Sequence, residues 1–233
     1  MPRRLRLFIP NTPCHIVQRG NNKSKIFLTS GNYQTFLGIL QEAIEKYSCL
    51  LYSYCLMPNH FHLIVSPGKF GNISLFMKLL GGKYVRYINK KYARTGTLWE
   101  SRFRSFLIGN EQYFVKCLRY VEMNPVRAGI TGSSELYPWS SYRFKAGKEK
   151  NPLISLDPWY INLDSNPIER QLKYQQFFQK PFTEQELTQI REIVHTGGIF
   201  GNESFKEYVE EISKKSIVIR APGRPVKIKE LNK

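Results

Sequence analysis

His60-Phe61-His62 is the tripeptide in this chain best suited to chemistry. On a strand successive side chains alternate faces, so both imidazoles point one way while Phe61 goes into the opposite layer. Two imidazoles on one face can share a cation, although an H-x-H pair by itself equally fits two polar residues on a half-exposed strand. The pair here lies in a strongly basic chain that has only two other histidines, and this favours the ligand reading. A metal held by two protein nitrogens keeps open positions. That suits polarising a phosphodiester oxygen better than a closed structural site.

A third ligand and a nucleophile are both within reach of the residues that follow. The segment 111–124 reads as a helix in which Tyr120 and Asn124, four apart, share a face, with Lys116 one turn before the tyrosine. A phenol titrates at about 10, so attack on phosphorus needs a nearby metal or cation that favours phenolate. Tyr120 would gain both from the metal and Lys116. The chain contains 14 tyrosines, however, and helical spacing alone does not select this one.

The elements that must position these groups follow from periodicity. Residues 14–20 alternate and carry β-branched Ile16 and Val17, as a strand does; residues 29–47 then place Phe36, Leu37, Leu40, Ile44 and Tyr47 at helical spacing. Residues 50–57 and 60–66 form a predicted hairpin about the turn dipeptide Pro58-Asn59. Asn72 can cap a second helix through Ile73, Phe76, Leu79 and Leu80 and on to Tyr84, Tyr87 and Ile88, with Gly81-Gly82 expected to weaken or bend it. Residues 102–108 alternate as a fourth strand, and the helix after it must end near Asn124 because Pro125 pushes its predecessor out of the α region. The order β-α-β-β-α-β plus a helix predicts an α+β, ferredoxin-like catalytic domain with the first and third strands side by side at its centre.

The remaining chain predicts an extension. Residues 137–181 are rich in Pro, Trp and Tyr without a clean period and read as irregular chain wrapping the core. Residues 183–195 and 205–214 read as helices separated by a glycine-rich stretch. The expected division is a catalytic domain over 1–145, an irregular and helical C-terminal extension over 146–218, and a basic flexible tail over 219–233.

Thirty-five Lys and Arg against eighteen Asp and Glu give a net charge of +17, a field that calls for a polyanionic partner. Between Lys69 and Arg104 there are nine basic residues and one acid, Glu100. Clustering of this kind is an electrostatic footprint for phosphates. Absence of an apolar run of about 18 residues argues against a membrane span, and the basic opening lacks a signal core, so a cytoplasmic address is expected. Cys14, Cys49, Cys55 and Cys117 form no C-x-x-C pair and read as reduced, mostly buried thiols.

Four ordered motifs together resemble the REP-associated tyrosine transposases of the IS200-like, single-tyrosine HUH superfamily. They are Leu56-Met57-Pro58-Asn59-His60-Phe61-His62, Gly96-Thr97-Leu98-Trp99-Glu100-Ser101-Arg102-Phe103, Tyr120-Val121-Glu122-Met123-Asn124-Pro125-Val126-Arg127-Ala128-Gly129, and the opening Pro-Arg-Arg with His15-Ile16-Val17-Gln18-Arg19-Gly20. The match covers roughly residues 1–145. The resemblance implies Mg²⁺ or Mn²⁺ as cofactor and single-stranded, hairpin-bearing DNA as partner. It also implies a tyrosine that leaves a 5′-phosphotyrosine and a free 3′-hydroxyl. Carried over by position, Tyr120 is the nucleophile, His60 and His62 are metal ligands, and Asn124 completes the metal site. The protein is expected to act as a monomer or homodimer.

Candidate DNA-binding residues extend well beyond these motifs. Arg3, Arg4 and Arg6 form a basic arm; Lys78, Lys83, Arg86, Lys90 and Lys91 line the second helix among Tyr84, Tyr87 and Tyr92, a mixture that grips single strands by charge and stacking. Arg19, Arg102, Arg104 and Lys116 are further candidates, and Trp99 and Trp139 read as packing anchors. Two rival functions share parts of this pattern. A non-catalytic single-strand binder could use residues 51–54, Leu-Tyr-Ser-Tyr, for stacking; an HUH replication initiator or relaxase would share the two-histidine chemistry.

Overall fold

The computed structural model describes residues 6–69 and 71–214; Arg3, Arg4 and the tail 219–233 lie outside the described residues. Strands β1 (Cys14–Arg19), β2 (Cys49–Met57), β3 (His60–Pro67) and β4 (Arg104–Ile108) alternate with helices α1 (Ser30–Lys46) and α2 (Ile73–Lys91), and α3 (Glu111–Glu122) follows. With a fifth strand, β5 (Gly198–Phe200), the sheet order is β2-β3-β1-β4-β5, with β1 antiparallel to both β3 and β4, so the β-α-β-β-α-β frame is the ferredoxin-like one and its first and third strands are central.

Alternation along these strands sorts two cores onto the two faces. Cys14 and Ile16 of β1, Phe61, Leu63 and Val65 of β3, and Leu107 of β4 bury against Phe36 and Leu40 of α1 and Phe76, Leu80 and Tyr84 of α2. Ile64 of β3 and Phe106 and Ile108 of β4 face the other way, against Phe114, Cys117, Leu118 and Val121 of α3. The period of two therefore puts Phe61 in one layer and both histidines under α3. Truncating a core ring such as Phe61 should cost about 3–5 kcal/mol.

Helix α2 runs unbroken through Gly81-Gly82. Two interior glycines cost about 1 kcal/mol each relative to alanine, which the buried stripe Phe76, Met77, Leu80, Tyr84 and Ile88 offsets. Trp99 lies against Gly81 and donates to its carbonyl at 3.4 Å; Trp139 stacks on Tyr33 at 4.4 Å, so both tryptophans pack as anchors. Asn72 caps α2 through Leu75 N, as its position predicts.

The chain after α3 is more ordered than its composition suggests. A single turn, α4 (Asn124–Arg127), and another, α5 (Tyr142–Lys145), lead into α6 (Pro158–Asn162), α7 (Pro167–Gln179), α8 (Glu184–Thr196) and α9 (Glu203–Ser213). Residues 137–181 thus hold three helices, α5, α6 and α7, where irregular chain is expected. The glycine-rich separator contains β5 (Gly198–Phe200), which pairs in parallel with β4. Gly197 and Gly198 take φ of +71° and +115°, a reversal between α8 and β5 that glycine makes without steric cost.

Tyr174 and Phe178 of α7 and Leu187 and Ile190 of α8 bury in the same core as α3. Both faces of the sheet are therefore covered: Tyr54 is buried and Tyr52 is half buried beneath Phe114. These positions offer no open platform for stacked bases. All four cysteines are buried and unpaired. No helix among the described residues is long and apolar enough to cross a membrane.

Candidate active site

The site is built where β1, β3 and the C-terminal end of α3 meet. Register sets His62 opposite Val17 and His60 opposite Arg19, so the histidines sit at the end of β3 that adjoins the end of β1. His15 projects from the same face of β1. Its Nε2 lies 2.8 Å from His62 Nδ1, and the two rings stack with centroids 5.0 Å apart.

The hydrogen bonds fix which nitrogen each histidine offers. His60 Nδ1 lies 2.6 Å from Asn59 Oδ1, an oxygen that can only accept, so this nitrogen carries the proton and Nε2 keeps its lone pair. His62 Nε2 lies 2.8 Å from Asn124 Nδ2, which can only donate; His62 Nε2 therefore holds a lone pair and Nδ1–H donates to His15. In both members of the H-x-H pair the lone pair lies on Nε2 while Nδ1 is oriented from behind, the arrangement usual for metal-binding imidazoles, and that of His62 accepts from Asn124 Nδ2–H.

Electrostatics keep these rings neutral. Burial lowers His60 to about 4, with further lowering by Arg19 and Arg127. Burial, then neighbouring His15 and His60, holds His62 well below the ordinary imidazole value, and burial alone lowers His15 to about 3. A neutral imidazole is the form that binds a metal.

Tyr120 and Asn124 share a face of the α3 end, as their spacing predicts. The Tyr120 ring is nearly buried and stands edge-on to His62 at 5.9 Å and to His15 at 6.3 Å. Asn124 stands at the head of α4, where Pro125 fits an early helical position that has no intrahelical N–H partner to lose. The turn ends at Gly129, whose φ of +67° is the left-handed value that glycine favours at a helix C-terminus. No three His, Cys, Asp or Glu side chains among the described residues converge to form a metal cage. The donors brought together are two imidazoles and one amide. Such an open set fits a divalent cation that takes its other ligands from phosphate and water.

The family profile described as IS200-like transposase matches residues 9–124, from just before β1 to Asn124. This chain belongs to the IS200-like transposase family. A Haemophilus influenzae protein named as a REP-associated tyrosine transposase is 25% identical over 132 residues, which span 52% of this chain and 74% of that one. A REP-associated tyrosine transposase solved in complex with a REP hairpin superposes with a TM-score of 0.56 at 16% identity, covering 67% of this chain and 92% of that one. At this identity the superposition speaks for the fold.

In this transposase the candidate cations divide into two groups. Arg19 and Arg104 are exposed, and both alternate onto the face that carries the histidines; Arg102 is exposed just before β4. Arg6 is held in place, with Nε donating to Phe103 O at 3.2 Å and its guanidinium 3.6 Å over the Phe103 ring. The α2 cations belong to the opposite layer. Lys78, Arg86 and Lys90 are at least partly exposed, Lys83 is ion-paired to Glu42 at 2.6 Å, and Lys91 donates to Tyr87 Oη at 3.0 Å. Tyr84 is core, its hydroxyl donating to Ile26 O.

Lys116 lies over the Tyr113 ring, 5.9 Å from its centroid. The cation that the fold sets on the Tyr120 ring is Arg127, at 4.0 Å. Sequence spacing does not reach His15 or Arg127, because each meets the site through tertiary contact. The one available signal is parity, which puts His15 on the same face of a neighbouring strand.

Proposed function

We propose that this transposase cleaves and rejoins single-stranded DNA beside a hairpin, with Tyr120 as nucleophile and His60, His62 and Asn124 holding Mg²⁺ or Mn²⁺. The observation that carries the reading is the presentation of two neutral Nε2 atoms, each fixed through Nδ1, beside a nearly buried tyrosine ring. A hairpin substrate is inferred from the REP hairpin held by the structural relative and from the excess of cations. We further infer a cytoplasmic enzyme, monomeric or homodimeric, whose catalytic domain spans 1–145 and whose extension spans 146–218.

When bound, the divalent cation would polarise the scissile phosphate and offset its charge. The chain's own residues do the rest. His15 and Asn59 hold the two imidazoles in one tautomer; on His62 the Nε2 lone pair that Asn124 Nδ2–H now occupies would go to the ion, and Asn124 would turn its Oδ1 to the ion. Tyr120 forms the new P–O bond as the P–O3′ bond breaks, and the phenol proton is balanced by the one gained on the released 3′-hydroxyl. Rejoining is the same exchange run backward by an incoming 3′-hydroxyl. Partial enclosure under α3 limits competing attack by water.

The test is incubation of the full chain with single-stranded oligonucleotides bearing a hairpin, in Mg²⁺, in Mn²⁺ and in chelator. A denaturation-resistant adduct that maps to Tyr120 and needs the metal is expected. Tight hairpin binding without adduct under every condition would overturn the reading in favour of a binding module.

A further inference from the structure

Arg127 stands at the site without a role in the reaction as described above. It closes the α4 turn three residues after Asn124, with its backbone N–H bonded to Met123 O at 3.0 Å, so both side chains leave one turn. Its guanidinium folds back seven residues: Nη1 donates to Tyr120 O at 3.2 Å and Cζ lies 4.0 Å over the Tyr120 ring. Its charge is felt at both His60 and His62. Its Nε is buried and has no hydrogen-bond partner.

A guanidinium is always charged and offers five N–H donors in a planar fork matched to the oxygens of a phosphate. Leaving such a donor buried and unpaired is unfavourable unless a ligand supplies the acceptor. Arg119 also has an unpartnered buried Nε, but its guanidinium is capped by the Phe182 ring at 3.9 Å and spends Nη2 on Lys180 O. Arg127 alone of the two lies on the ring of the nucleophile and acts on both metal-ligand imidazoles. The anion that must arrive there is the scissile phosphate.

We propose that Arg127 is a further catalytic residue, whose guanidinium binds a non-bridging oxygen of the scissile phosphate as Tyr120 attacks it. This rests on the tyrosine-nuclease reading above. The guanidinium then works on the non-bridging oxygens of the phosphate, where negative charge accumulates as the phosphorus becomes five-coordinate. Stacking on the Tyr120 ring orients the guanidinium, so ring and phosphate are aligned by one side chain. A preorganised donor of this kind commonly contributes about 10²–10³-fold in rate.

The decisive measurement is a binding cycle in the Tyr120→Phe background, where no cleavage intervenes. Hairpin oligonucleotides carry either a normal phosphate or an uncharged methylphosphonate at the scissile position, and the protein carries Arg127 or Arg127→Ala. Methylphosphonate should weaken binding when Arg127 is present and have a much smaller effect in Arg127→Ala. Equal effects in both proteins would overturn the proposal, leaving Arg127 as packing for Tyr120. Arg127→Lys, which keeps the charge and loses the fork, should show intermediate coupling and provides the same comparison if the alanine variant misfolds. With Tyr120 intact, Arg127→Ala should slow adduct formation about 10²–10³-fold. Coupling in the binding cycle with no adduct in the unsubstituted protein would sink the nuclease reading while leaving the phosphate contact standing.

Discussion

Two buried polar clusters lie on opposite sides of α3, and only one of them is closed. Glu122 stands two residues after Tyr120, so the two side chains leave the helix roughly 200° apart. The Glu122 carboxylate is fully buried; Oε1 accepts from Ser53 Oγ at 2.9 Å and Ser141 Oγ at 2.6 Å, and Oε2 accepts from Tyr174 Oη. Behind it Lys145 and Asp157 form a buried ion pair at 2.6 Å. On the Tyr120 side, His15 Nδ1 and Arg127 Nε are buried without partners, and His60 is half exposed. A saturated network joins parts of the fold, here β2, α3 and α7. An unsaturated one at a cleft marks where a ligand completes the structure. Removing Tyr120 chemistry should therefore cost activity, and removing Glu122 chemistry should cost stability.

The largest effect should come from the nucleophile. Tyr120→Phe deletes one oxygen and keeps the ring contacts with His62 and Arg127, so folding and hairpin binding should persist while adduct and cleavage vanish. Tyr113 is the control from the same helix. Its ring packs on Phe200 of β5 at 4.4 Å, and Tyr113→Phe should cleave normally. An adduct that persists in Tyr120→Phe and maps to another tyrosine would break the comparison at its centre.

Next come the histidines. His60→Ala or His62→Ala should abolish cleavage and leave hairpin affinity largely intact, because affinity comes mainly from phosphate contacts elsewhere. His15→Ala acts one shell further out, by freeing the His62 ring, and should weaken metal affinity about 10–100-fold in a direct titration with Mn²⁺. Retained cleavage in both single variants of the H-x-H pair would remove them as ligands.

The parts of this site that are legible in the sequence are those set by local periodicity. Alternation places His60 and His62 on one face, helical spacing puts Tyr120 with Asn124, and the β-α-β-β-α-β order appears with the expected central strands. Gly81-Gly82 misleads because helix propensity takes no account of the buried stripe that keeps α2 continuous. Helices α6 and α7 carry readable start signals, Asp157-Pro158 and Asn166-Pro167, in which the Asp or Asn caps and the proline follows. Their aromatic-rich composition obscures the period. Strand β5 has three residues and exists because β4 offers it an edge, which no local pattern encodes. Strand parity gives His15 its face but not its partner, which lies 47 residues away, and Arg127 folds back on Tyr120 across the break between α3 and α4.

A smaller effect is expected from the layer opposite the histidines. Lys90→Ala with Lys91→Ala should weaken hairpin binding similarly across sequences and flatten its salt dependence by about two units of slope or less, because each phosphate left without its lysine retains its own counterion. Cleavage of bound DNA should be unchanged. Lys91 is partly engaged with Tyr87, so Lys90 should account for more of the change. An unaltered salt slope would confine the DNA to the face that carries Arg19 and Arg104.

The smallest effect probes the closed cluster through pH. Burial raises the Glu122 carboxyl above its ordinary value, against lowering by Lys145 and by the hydroxyls of Ser141, Tyr174 and Ser53. Between the unfolded value, about 4.3, and the raised folded value, the folded chain binds more protons than the unfolded chain. The contribution of this group is therefore full below the unfolded value and is lost as pH rises through the folded one. Glu122→Gln removes the titration while keeping an oxygen to accept from Ser53 and Ser141 and an amide to face Tyr174. The melting temperature of Glu122→Gln relative to the parent should accordingly climb with pH across that window and level off on either side. Adduct formation at a fixed pH should stay within a few-fold of the parent, because the exchange leaves the Tyr120 side untouched. A difference in melting temperature that is flat from about pH 4 upward would mean that Glu122 keeps its ordinary titration when folded. A large loss of cleavage in a stably folded Glu122→Gln would show instead that the two sides of α3 act as one site.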